Sequence, residues 1–196
     1  MKTKMITLLA FLSIYSSLFS KTIDDEIMLK DGSKAVIQSN SFKVDFESKT
    51  ISYKGLNNAQ IKIGFKDFIS VEFGANKFQT FQLNGENQIE GYFVIAETDT
   101  KKLVLHTLPQ EEEGVVTYEF HIIENDKIVL DTHVFDNKKN QKSANLRSEI
   151  YGKIKFYFPN NIQLLHRLQL FDKNSFSIDN TKILGFFNNP VYCKNE

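Results

Sequence analysis

One cysteine in 196 residues, no tryptophan, and no apolar run after residue 20 long enough to span a bilayer set the first limits on this chain. A lone Cys193 cannot close an internal disulfide, so packing alone must hold the fold. A nucleophilic cysteine needs a partnering base and a lowered pKa. Cys193 stands three residues from the chain end and reads instead as an inert or dimer-forming thiol. Excess basic charge is also missing: 24 Lys and Arg face 24 Asp and Glu, which leaves no basic stripe for nucleic acid. There is no serine in a G-x-S-x-G elbow, no H-E-x-x-H pair and no phosphate-cradling glycine loop. Nucleophilic hydrolysis, zinc proteolysis and nucleotide chemistry therefore lack their usual signatures.

What is present begins with MKTKMITLLAFLSIYSSLFS. Lys2 and Lys4 lead a short apolar run over residues 5–12, followed by small residues, which is the layout of a secretory signal peptide cut after Ser20. The run is too short and too interrupted by serine to cross roughly 30 Å of hydrocarbon. No cysteine near the cut offers a site for a lipid anchor. The expectation is a soluble exported chain, periplasmic or extracellular, with 22 basic against 24 acidic groups once Lys2 and Lys4 are removed. Eighteen Phe and seven Tyr can fill a substantial core.

From residue 26 to 135 the chain repeats short β-branched and aromatic runs separated by polar turns. EIMLK and KAVIQ flank Asp31-Gly32-Ser33, FKVDF and TISYK flank Glu47-Ser48-Lys49, and QIKIGF and FISVEF meet across Lys66-Asp67. FQTFQL, YFVIAE, KKLVLHTL, VVTYEFHII and KIVLDTHVF follow. This spacing predicts an antiparallel meander, sandwich or open barrel of about ten strands. Past NKKNQK, residues 137–142, the period changes to four through Leu146, Ile150, Ile154 and Phe158. Ser143 is placed to cap that helix and Pro159 to stop it. Asn161 can cap a second helix with Ile162, Leu165 and Leu168 on one side, and His166 and Arg167 directed elsewhere. Ser177 or Asp179 can start a third, carrying Ile183, Leu184 and Phe187 and closed before Pro190. The reading is α+β: a β-rich body over 21–137, then two to three helices within 138–196 packed on the sheet.

The histidines are the chief candidates for chemistry. Pairing the hairpin of residues 115–135 so that its apolar positions coincide sets Phe120 opposite Thr132 and Tyr118 opposite Val134. That register puts His121 opposite Asp131 and Glu119 opposite His133 on the second face, a donor set suited to zinc or another divalent ion. The same pattern describes a solvated sheet face. With no ligand-spacing motif behind it, the expectation is wet imidazoles and no catalytic, cofactor or metal residue. His106, between Val104 and Leu108, reads as a core or edge histidine. Glu111-Glu112-Glu113-Gly114 lacks the alternating oxygen ligands of a calcium loop and reads as a solvated turn.

The segments LKDGS (29–33), ISYKG (51–55), KIKFYFP (153–159) and ILGFFNNPVYC (183–193) together resemble a group of uncharacterised secreted proteins of flavobacterial type. Their features are a signal peptide, an LKDG start, a β-rich body and a helical C-terminal segment with an F-P element and a terminal cysteine. The resemblance implies no activity. Its pattern places a second cysteine after the F-P element, where this chain reads Asn160-Asn161, so it supplies no disulfide partner for Cys193. Three functions fit these features. One is a non-catalytic envelope protein, structural or partner-binding through its sheet edges. The second is an apolar-ligand or lipid carrier, with a curled sheet closed by helices over a cavity lined by Phe65, Phe73, Phe93 and Phe120. The third is a metal-dependent enzyme built on Glu119, His121, Asp131 and His133.

Overall fold

A computed structural model describes residues 25–109, 115–136, 146–172 and 181–194. Eleven strands run in order before the helices: β1 (Glu26–Leu29), β2 (Lys34–Val36), β3 (Lys43–Asp45), β4 (Thr50–Lys54), β5 (Gln60–Gly64), β6 (Phe68–Phe73), β7 (Asn76–Phe81), β8 (Glu90–Glu97), β9 (Lys101–Pro109), β10 (Val116–Glu124) and β11 (Ile128–Asp136). Helices α1 (Leu146–Tyr157), α2 (Ile162–Asp172) and α3 (Thr181–Asn188) follow, and then a two-residue strand β12 (Cys193–Lys194). The layout is α+β, strands first and helices last. The proposed caps Ser143, Ser177 and Asp179 lie outside the described residues, as do Glu111, Glu112, Glu113 and Gly114.

The strands divide between two sheets. The large one has the order β11-β10-β9-β8-β7-β6-β1-β2, and the small one is β3-β4-β5. QIKIGF and FISVEF therefore do not form a hairpin. The 3-10 turn Phe65–Asp67 carries the chain from the last strand of the small sheet into the large one. Strand β8 pairs with β9 along one side. Its other side pairs with β7 through residues 90–93 and with β12, in parallel, through Ala96 and Glu97.

Register places Ile27, Val71, Phe78, Phe93, Leu105, Phe120 and His133 in one row across seven strands of the large sheet. Strand side chains alternate, so these residues share a face. Both covering layers sit on it. The small sheet buries Ile51, Tyr53 and Phe65 against Ile27, Val71 and Phe78, while the helices bury Ile150, Ile154, Leu168 and Phe187 against Leu105, Phe120 and Ile122. Phe93 packs against both groups and marks where they meet. Each such buried aromatic or branched side chain contributes about 1.5–3 kcal/mol. A Cβ on Gly91 would lie 2.4 Å from the Phe78 ring and 2.8 Å from the Phe65 ring, so only glycine lets the two layers close there.

The second face is covered at its centre by the loop of residues 82–89. Leu83 from that loop is buried with Phe81, Tyr92, Val94, Val104 and Ile123, and Asn84 donates its backbone N–H to the Lys127 carbonyl at 2.9 Å.

Among the helices, Asn161 caps α2 as its position predicts, accepting the Leu164 N–H at 2.9 Å, and its amide reaches the Cys193 carbonyl at 3.3 Å. The expected apolar side of α2 is displaced. Leu164 and Leu168, four apart, are buried, Leu165 is half-buried, and Ile162 is 81% exposed.

Candidate functional site

The 115–135 hairpin turns through Asn125 and Asp126, both with φ in the left-handed region, and Lys127 donates its N–H to the Glu124 carbonyl. Next to the turn, Glu124 faces Ile128 and Ile123 faces Val129, in the register that the apolar pattern predicts. Leu130 is then an extra residue. Beyond this bulge Ile122 faces Asp131, His121 faces Thr132, Phe120 faces His133 and Glu119 faces Val134. A one-residue slip moves every later side chain of a strand to the other face. The expected set of Glu119, His121, Asp131 and His133 is accordingly broken: the first two stand on the second face, the last two on the covered face.

Neither imidazole is wet. His133 stacks on Phe120 at 5.5 Å beneath α1, with Glu149 4.0 Å from its Nε2, and that nitrogen is buried without a hydrogen bond among the described residues. Burial, with help from Lys153, lowers its pKa against the pull of Glu149 and Asp131. Asp131 is taken by Lys153 of α1.

On the second face, His121 is 9% exposed. Its Nδ1 lies 2.9 Å from the Thr132 hydroxyl, and its Nε2 lies 3.6 Å from Glu119, beyond hydrogen-bond reach. Tyr92 stands edge-on to both His121 and His106 at 5.6 Å, and Phe46 closes on His106 at 4.6 Å. The Tyr92 hydroxyl donates to Glu86 at 2.9 Å, whose other oxygen accepts the Leu83 N–H at 3.2 Å, so one carboxylate ties the loop to the sheet. Burial raises the Tyr92 pKa, and the charges of Glu86, Glu90 and Glu119 add to it. Burial lowers the pKa of His106 and of His121, against the opposing charges of Glu90 and Glu119 around the first and of Glu119 and Glu86 around the second. The cluster thus holds two neutral imidazoles and a protonated phenol. No group of three or more His, Cys, Asp or Glu among the described residues is placed to hold a metal ion.

A second polar network ties down the end of the described chain. Tyr192 donates its hydroxyl to Glu97, which Lys77 also reaches at 3.0 Å, and the Lys77 ammonium stands 4.9 Å from the Tyr192 ring centroid. Lys102 reaches Asp126 at 2.5 Å. These residues lie far apart in sequence and carry no motif that would have joined them. Cys193 is free and fully buried, and burial raises its thiol pKa against the neighbouring Arg167. Full burial favours the inert thiol over the dimer-forming one.

The cavity expected behind Phe65, Phe73, Phe93 and Phe120 divides. Phe73 and Phe93 line a pocket of about 240 Å³ with Tyr118, Phe187, Asn76 and Asn188. Phe65 belongs to a separate hollow of about 390 Å³ bordered by Lys49, Lys66 and Gln88. Phe120 is sealed under Phe187, the two rings parallel at 5.7 Å. The remaining feature is an edge. Strand β11 has nine residues, no lysine and no proline, and no strand among the described residues pairs with its outer side.

No described helix is long and apolar enough to cross a membrane. No protein-family model, curated protein or solved structure matches this chain.

Proposed function

We propose that the chain is an exported, non-catalytic envelope protein that acts by binding a partner, located in the periplasm or at the cell exterior. The observation that carries this reading is the outer side of β11, which offers a template for an added strand. Val134 is 56% exposed and Thr132 is exposed beside it on the same face, so an arriving strand meets an apolar side chain there. The bulge at Leu130 blunts the start of the strand, and regular pairing geometry resumes at Asp131. The imidazoles of His106 and His121 are packed against Tyr92, and Phe46 closes on His106, which favours binding over catalysis at this cluster.

The test is affinity capture with the full chain, expressed with its leader in the envelope of its source cell. Intact mass should show a product starting at Lys21. A protein recovered with the wild type should be lost with Val134→Lys, which charges the edge at an exposed position. Retained leader, or equal recovery by the charged variant, would defeat the reading.

A further inference from the structure

We infer that the pocket between the large sheet and the C-terminal end of α3 is a receptor for one neutral aromatic side chain of a partner polypeptide, an inference that rests on the partner-binding reading and gives it a chemistry. Side chains of β6 to β10 and of residues 187–190 line a cavity of about 240 Å³ beside Phe93. That is below the roughly 300–1,000 Å³ of clefts that enclose whole small molecules, so the pocket suits a group and not a free ligand. Phe73, Phe93, Tyr118 and Phe187 surround it, and rings prefer ring partners in edge-to-face or offset geometry. Among the described residues no charged side chain lines it, which favours a neutral group. A sugar would set hydroxyls against the Phe73, Phe93 and Phe187 rings, which offer them no hydrogen-bond partner.

The rim is chemically different from the floor. Asn76, Asn188 and Asn189 border the mouth, and Asn188 and Asn189 are exposed. The Tyr118 hydroxyl donates to the Asn188 Oδ1, which leaves the carboxamide NH₂ of Asn188 to donate outward. Carboxamides match the C=O and N–H of a peptide flanking the inserted ring. The walls are already held: Tyr118 stacks on Phe135 at 5.3 Å, and Phe187 on Phe120. An apolar anchor pocket with a polar rim is the arrangement that concentrates binding energy at protein interfaces.

The experiment is a titration of the full chain, with ¹³C-labelled Phe and Tyr rings, against N-acetyl-phenylalaninamide and N-acetyl-tryptophanamide, with N-acetyl-leucinamide and glucose as comparators. The expected result is saturable movement of the Phe93 and Tyr118 ring signals with the aromatic amides, several-fold weaker with the leucine amide and absent with glucose. Thr107→Phe or Val116→Phe fills the pocket and should abolish the movement while far-UV dichroism is kept. If one variant fails to fold, the other serves, and the map on the unsubstituted protein decides on its own. No movement, equal movement with leucine amide or glucose, or movement surviving the filled pocket overturns the inference. A partner captured through β11 without aromatic binding would sink the pocket and spare the broader reading. Aromatic binding without any captured partner would do the reverse.

Discussion

His121 and His133 stand on opposite faces of one hairpin because Leu130 is an extra residue between them. The two rings therefore have unrelated surroundings, one beside Thr132 and Tyr92, the other between Phe120 and α1.

Their substitutions should separate accordingly. His121→Ala removes a buried ring and its hydrogen bond, and should cost about 1–3 kcal/mol. His133→Phe keeps the stack on Phe120 and removes a buried nitrogen that makes no hydrogen bond among the described residues, so it should be neutral or stabilise by up to about 1 kcal/mol. Urea denaturation of both variants measures the contrast. Zinc should leave the Tm of the wild type unchanged, and a zinc-dependent rise lost in both variants would restore the metal reading.

Acid should weaken the fold from near neutrality. Burial holds the imidazoles of His106, His121 and His133 below the ordinary 6.5. The unfolded chain then takes up protons that the folded chain refuses. Stability is complete above about pH 6.5 and falls as the pH drops from there through the folded-state values. Glu97 adds a loss at lower pH: burial opposes its charge, but hydrogen bonds from Tyr192 and Lys77 hold its pKa below the ordinary value. Urea midpoints taken across this range should show the slope, and His106→Phe should flatten it. A midpoint independent of pH below neutrality would contradict the buried neutral state.

Gly91→Ala should be among the most damaging small substitutions. Its Cβ would meet two rings at 2.8 Å or less, and both Phe65 and Phe78 are fixed by neighbours on each side. Overpacking of this kind costs about 1–3 kcal/mol. Adding Phe78→Leu should recover part of the loss, which a double-mutant cycle would show as coupling between the positions.

The sequence was most informative where structure is local. Asn161 is legible as a cap because the three residues that follow decide its role, and the Asn125-Asp126 turn fixes the pairing of the residues beside it. Leu130 was not legible, because one extra residue in IVLDTHVF leaves an apolar alternation that fits either register. The split between QIKIGF and FISVEF was hidden for a different reason. Strands adjacent in sequence usually pair, and the distant packing of Phe65 over Gly91, which accompanies their division between two sheets, is not visible in a local window. In α2 a cap gives the start but not the rotation: Leu168 is buried as expected, but Leu164 takes the place given to Ile162 and Leu165 is only half-buried. The Tyr92, His106 and His121 cluster depends on three strands and a loop, and no short window of sequence contains it.

Strand β8 receives its two partners on one side from segments made at very different times. Residues 76–81 emerge before it, whereas Cys193 follows it by nearly half the chain. A polypeptide threading out of a ribosome or a translocation pore therefore carries Ala96 and Glu97 with one flank unpaired until the final segment arrives. Closure of the large sheet is a late event in the life of each molecule, and chains interrupted before Cys193 would expose that flank to their neighbours.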